Sequence, residues 1–196
     1  MGRRKEIEMG WPSDWAFCIC DFETTGIDTK KDFPIEVGCI FTDSRFVMIH
    51  SFECLLTCPT VRNMLERGGS GDPLSWPTEW KPAFRVHGIK AKKLAEDGAA
   101  FSTAAISILE IIEALKSRGF RRIILLSDNA QFEYRFMRRL FKGQKWPFHY
   151  CAWDSSILLE GSGVGDPIPI HRALPDAAIL HHALIRACER VGFFGG

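Results

Sequence analysis

No stretch of this 196-residue chain is apolar for long enough to cross a bilayer, which excludes a membrane-spanning helix. The opening residues, MGRRKEIEMG, are basic but lack the apolar core of an export signal. A dominant charge is lacking too: 25 Lys and Arg stand against 24 Asp and Glu, a formal net charge of +1. A polyanionic partner must therefore be held by local basic patches or by metal ions, because overall charge will not attract it. The seven cysteines (Cys18, Cys20, Cys39, Cys54, Cys58, Cys151 and Cys188) form no paired CxxC clusters. Their number is odd and several lie in strand-like apolar runs, which predicts reduced core thiols and a cytoplasmic protein. His181, His182 and Cys188 lack the spacing of a zinc site. Internal repeats and low-complexity tracts are absent as well.

What is present is ordinary globular material, 46% hydrophobic and 25% charged, enough for a sizeable core. The length fits one domain, 1–196, with residues 1–14 as an N-terminal extension. Apolar residues alternate from Trp15 to Glu23, as in a strand. PIEVGCIFTD and RFVMIHSFECLL predict two more strands, joined by a short turn at Asp43 and Ser44. Residues 57–82, rich in Gly, Pro and Trp, read as a long irregular insertion with one short helix from Val61 to Arg67. Its Trp76 and Trp80 are either base-stacking platforms or anchors that fold the loop onto the body. In FSTAAISILEIIEALKSRG, Ala105, Ile108, Leu109, Ile112 and Leu115 recur at helical spacing, and Gly119 stops the helix. RRIILLSD then predicts a buried strand leading into a helix, NAQFEYRFMRRLF. PFHYCAWD predicts another strand, and a Gly/Pro loop at 161–169 precedes a last helix from Leu174 to Val191. Three strands followed by alternating helices and strands predict an α/β sandwich: a mixed central sheet of about five strands with helices on both faces.

Two carboxylates stand out at the end of the first strand, in DFETTG. Side chains two apart on a strand share a face, so Asp21 and Glu23 point the same way. Such a pair is either a solvated strand end or a grip for a hard divalent cation, which prefers oxygen ligands. SDNAQFE offers a second acidic group. Asp128 and Gln131 have capping-box spacing, and Glu133 falls in a first turn, where the helix dipole favours a carboxylate. This junction follows a buried strand, and strand carboxyl ends are where α/β sheets place their sites. HRALPDA offers a third. Pro175 is tolerated only in a first helical turn, which puts Asp176 in that turn and His171 on the loop before it.

These stretches, in this order, resemble the DEDDh family of 3′→5′ exonucleases, which includes polymerase proofreading subunits and ribonuclease T. DFETTG is similar to the family's DxETTG, VHGIKAKKL to its HGI segment, SDNAQFEYRFM to its HNAxFD, and HRALPDA to its His-x4-Asp. The resemblance runs from about Phe17 to Cys188 and implies a ribonuclease H-like three-layer sandwich. It implies two divalent cations, Mg²⁺ or Mn²⁺, on Asp21, Glu23, Glu133 and Asp176, with His171 as general base. It further implies that Thr24, Thr25, His87, Ile89 and Asn129 bind substrate, with Ile89 packed on a terminal base. The expected reaction is hydrolysis at the 3′ end of single-stranded DNA or RNA, releasing 5′-mononucleotides.

One position departs from the family pattern: Glu133 stands where the family has Asp, longer by one methylene. Either Glu133 reaches the second ion by another rotamer, or Asp128 substitutes for it. A weakened, nucleic-acid- or polymerase-binding module is the alternative reading. Tyr150 and Asp154 also have the Tyr-x3-Asp spacing of a sister branch, but Asp154 before Ser155 and Ser156 reads as a helix cap. Relatives suggest a homodimer or a polymerase as further partners. Lys90, Lys92 and Lys93, and then Arg135, Arg138, Arg139, Lys142 and Lys145, form two basic clusters. Each is either a solvated helix face or part of a nucleic-acid track.

Overall fold

The computed structural model describes residues 10–67, 80–165 and 167–194, and its layering follows from the alternation in WAFCICDFET. That segment is strand β1 (Trp15–Thr24). Ala16, Cys18, Cys20 and Phe22 enter the core on one face of the sheet, and Phe17 and Ile19 enter the core on the other. Asp21 and Glu23 continue the second set. β2 (Pro34–Asp43) and β3 (Met48–Thr57) extend the sheet antiparallel on one side of β1. β5 (Arg122–Ser127) lies parallel to β1 on the other side. Two-residue strands close the edges, β4 (Ala99–Ala100) beside β3 and β6 (Trp153–Asp154) beside β5. The described residues thus form a six-stranded mixed sheet, ordered β4-β3-β2-β1-β5-β6.

Helices cover both faces. Ala104, Ala105, Ile108, Ile112 and Leu115 of α4 (Phe101–Ser117) pack on the Cys18 face, joined by Phe136, Met137 and Leu140 of α5 (Ala130–Leu140). On the Phe17 face lie Leu159 of α6 (Ser156–Ser162) and Ala177, Leu180, Ala183, Leu184 and Ala187 of α7 (Ala173–Arg190). A side chain such as Leu184, fully buried, contributes through close packing, and Leu-to-Ala changes at such sites cost about 2–5 kcal/mol. The remaining helices are α1 (Pro59–Arg67), α2 (Lys81–His87) and α3 (Ala91–Asp97). They build a small satellite core from Val61, Trp80, Ile89 and Leu94 against Ile35.

Several sequence expectations are adjusted. The hairpin turn is longer than Asp43–Ser44, because Phe46 adopts φ 60° and buries its ring against Phe17. The Asp43 carboxylate accepts from the amides of Arg45 and Val47, which satisfies the turn's backbone and delays β3 to Met48. The strand expected over PFHYCAWD shrinks to Trp153–Asp154. Of the insertion, residues 57–67 carry the expected helix, while Trp76 lies outside the described residues. Trp80 folds inward, edge-on to Phe33. All seven cysteines are free thiols, with Cys18, Cys20, Cys39 and Cys188 buried. No helix among the described residues is long and apolar enough to cross a membrane.

Candidate active site

The acidic residues gather where β1 ends and α7 begins, and a glycine permits it. Gly38 of β2 is the cross-strand partner of Asp21. A methyl group there would lie 2.2–2.4 Å from the backbone of Ala173 and Leu174. The helix start is thus pressed onto the sheet where only glycine fits. Two residues away along β2, Glu36 lies directly across from Glu23 and is fully buried. Its carboxylate accepts from Arg172 Nε at 2.9 Å and Nη2 at 2.5 Å, and from the Ala173 amide at 3.0 Å. Arg172 also approaches Glu53 at 3.8 Å. This bidentate pair neutralises a like-charged cross-strand contact and pins the entrance to α7. Sequence reasoning missed Glu36, Gly38 and Arg172, although a lone Glu inside PIEVGCIF signals a buried charge that requires a partner.

Asp176 works backwards along its helix. Oδ1 accepts from the Ile170 amide at 2.8 Å, and Oδ2 accepts from the His171 and Arg172 amides at 2.8 and 3.1 Å. These bonds hold His171 in the left-handed region at φ 61°, a strained conformation of the kind that clusters at functional sites. Ligand atoms of Glu23, His171 and Asp176 consequently lie within 4.8 Å of one another. Of the roughly four lone-pair positions on a carboxylate, Asp176 has committed three to the backbone. Gly38→Ala is expected to push α7 outward, lowering stability by about 1–3 kcal/mol through overpacking. A shift of that kind also displaces His171 and Asp176, so turnover should fall further than the melting curve alone predicts.

Asp21, Asp128 and Asp176 line a shared cavity of about 30 Å³, large enough for a single water or ion. Asp128 reaches it because it does not cap α5. The cap is Asn129, whose side chain accepts from the Phe132 amide. The expected Asp128–Gln131 capping box is therefore one residue out of place, and the Asp128 carboxylate faces the acids instead. Glu133 points into the protein, 3% exposed, with Oε2 unpartnered.

The charge is unbalanced. Burial, then Glu23, Asp176, Asp128 and Glu36, push the Asp21 carboxyl well above its ordinary range. Burial, then Asp176 and Glu36, raise Glu23 to about 7, with Arg172 opposing. Burial and then Asp21, Asp128 and Glu23 raise Glu133 well above its usual value. Burial also raises Asp128, against the backbone amides that bond it. Two full charges 4.8 Å apart repel by roughly 3–4 kcal/mol at an effective dielectric near 20. Among the described residues, the guanidinium that opposes the rise at Glu23, that of Arg172, is committed to Glu36. A donor set dominated by carboxylate oxygens and an orphaned Glu133 oxygen fit hard divalent cations.

The remaining expected residues have mixed positions. The Thr24 hydroxyl donates to Gly26 O at 2.7 Å. The Thr25 hydroxyl is consumed inside its own loop, donating to Asp32 and accepting from the Phe33 amide. Ile89 is 7% exposed and packs in the satellite core. His87 is buried against Phe84, its Nδ1 accepting from the Ile89 amide and its Nε2 unpartnered. Burial lowers its pKa to about 4, so the ring is neutral. Tyr150 is exposed in a separate cleft with Tyr134 and Arg135. Asp154 is not the expected cap: Ser155 occupies the N-cap position of α6 without a side-chain capping bond. Asp154, in β6, accepts from the Ser156 amide two residues on at 3.0 Å and from the Ala130 amide. In the second basic cluster, Arg139 is tied to Asp32 O and stacked on Phe33, and Arg138 lies over Trp146.

No family model and no curated protein matches the chain. Solved structures do. Exonuclease I of E. coli, in its zinc-ion-bound complex with single-stranded DNA, superimposes with a TM-score of 0.61 at 16% identity, over 89% of this chain and 40% of that one. Exonuclease I of Methylocaldum szegediense gives 0.60 at 17% identity, over 89% and 40%. E. coli exonuclease I with a dA16 oligonucleotide gives 0.60 at 16% identity, over 92% and 41%. The chain spans about two fifths of the length of these structures. Its six-stranded sheet with flanking helices is the ribonuclease H-like fold that they share.

Proposed function

We propose that the protein is a divalent-metal-dependent 3′→5′ exonuclease acting on single-stranded DNA or RNA ends. The observation that carries this reading is the convergence of Asp21, Glu23, Asp128 and Asp176 from three separate segments, with the His171 imidazole beside them. That E. coli exonuclease I holds a zinc ion and single-stranded DNA on the same fold supports it.

Asp21, Glu23 and Asp176 would hold the ions, Mg²⁺ or Mn²⁺, with Asp128 or Glu133 completing the second shell of oxygens. Bound there, such ions would neutralise phosphate charge and lower the pKa of an attacking water. His171, on the loop just before α7, would accept the proton of the attacking water. The water oxygen bonds to phosphorus as the bond to the penultimate 3′ oxygen breaks. A 5′-mononucleotide leaves and a new 3′ hydroxyl remains. Asp176 and the Glu36–Arg172 pair would position the loop that carries the imidazole.

The test is a 5′-labelled single strand incubated with Mn²⁺, with and without chelator. Metal-dependent shortening from the 3′ end supports the proposal, and an intact strand that shifts in a gel supports binding without turnover. The second reading draws on the buried, unpartnered Glu133 carboxyl. If Asp128 does the work of the missing family Asp, Asp128→Asn should cut turnover at least tenfold while Glu133→Gln costs little. The reverse ranking would return the role to Glu133.

A further inference from the structure

The geometry points to a second nucleic-acid subsite on the outer side of α5, where a base stacks on Tyr150 and its phosphate meets Arg135. This inference rests on the exonuclease reading of the acidic cleft. Ala130, Gln131, Tyr134, Arg135, Tyr150 and Ala152 line a cleft of about 380 Å³, within the size range of ligand sites. Tyr150 is 79% exposed, an unusual state for an aromatic side chain, and its ring rests on His149 with centroids 4.2 Å apart. One side of the tyrosine is thereby braced while the rest stands in solvent.

The opposite wall is rigid and cationic. Tyr134 meets Trp146 edge-on at 5.2 Å, and Arg138 lies over Trp146 at 4.7 Å. Residues 129–152 carry Arg135, Arg138, Arg139, Lys142 and Lys145 but a single acid, Glu133, which is buried. The outward charge of this segment is therefore entirely positive on a chain whose net charge is only +1. Exposed aromatics beside cations suit single strands, because every base offers a π-face and every linkage a negative charge. Position matters as well. The cleft begins two residues after Asp128, and the Ala130 amide is bonded to Asp154 at the adjoining sheet edge. A strand whose 3′ end sits among the acids would then extend toward it.

Two measurements test the subsite. Anisotropy of labelled dT8 and U8, with chelator present so that nothing is cleaved, reads binding alone. Tyr150→Ala should weaken both strands on the order of tenfold, since stacking does not depend on the sugar, and Tyr150→Phe should restore affinity. Arg135→Ala should reduce the salt slope by about one unit. With Mn²⁺, Tyr150→Ala should raise KM for dT8 with kcat unchanged and leave dT2, too short to reach the cleft, unaffected. Unchanged binding by Tyr150→Ala, or an equal rise in KM for dT2 and dT8, overturns the subsite. A wild-type protein that binds dT8 through Tyr150 yet never shortens it leaves the subsite standing and overturns the exonuclease reading.

Discussion

Asp21→Asn is expected to abolish metal-dependent shortening of a labelled strand while raising the thermal midpoint of the metal-free protein. Both effects have one cause. The Asp21 carboxyl is forced well above its ordinary range by burial and by Glu23, Asp176, Asp128 and Glu36. Without an ion, its ionised form is a source of instability, and an asparagine of the same shape removes it. The direction with pH follows by linkage. A carboxyl whose folded pKa is raised keeps its proton in the folded state after the unfolded chain has released it. Stability is then lost as pH rises from the ordinary carboxylate range to the folded value, which for Glu23 is about 7. The metal-free wild type should therefore melt progressively lower between pH 5 and pH 7, and Asp21→Asn should flatten that decline.

Metal reverses the ranking. An ion present at roughly 100 times its Kd adds about 2.7 kcal/mol, or roughly 5–11 °C for a chain of this size. Mn²⁺ should give the wild type that shift at pH 8 and give Asp21→Asn almost none. Differential scanning fluorimetry with and without chelator measures all four states. A variant that keeps both the Mn²⁺ shift and the turnover removes Asp21 from the ion site.

The parts of this site that were legible in the sequence are those with a local cause. Alternation in WAFCICDFET put Asp21 and Glu23 on one face, and Pro175 fixed where α7 starts, hence the places of His171 and Asp176. The assignment failed where adjacent residues compete for one role. Asp128 and Asn129 are both good caps, and spacing alone could not show that Asn129 takes the amide and leaves Asp128 for the cavity. It failed again where pairing is remote: Glu36 and Arg172 are 136 residues apart. β4 and β6, two residues each, exist through their neighbours rather than through propensity. Burial is equally hard to read from spacing: Ile89 belongs to the small cluster that also holds Trp80 and Leu94.

His171→Ala is the other large effect, on the order of 10²–10⁴-fold in kcat, the usual range for a lost general base. The structure makes this loss specific. His171 sits at φ 61° and is held there through its own amide, which donates to Asp176 Oδ2. That bond survives the substitution, so alanine removes the imidazole and leaves the turn tethered. If Asp21, Glu23 and Asp176 hold the ions as proposed, KM for the strand and the Mn²⁺ thermal shift should both stay near wild type. Arg172→Ala is the contrasting case. It leaves the imidazole in place but strips the partner from Glu36, a fully buried carboxylate. Arg172 is itself partly exposed and the Ala173 amide still donates to Glu36, so losing this partner costs about 1–3 kcal/mol. A protein in which His171→Ala lowers kcat without moving the melting curve, while Arg172→Ala lowers both, has an imidazole that handles the proton and a guanidinium that holds it in position. If His171→Ala leaves kcat unchanged between pH 6 and pH 9, the proton goes elsewhere and the imidazole is only a loop residue.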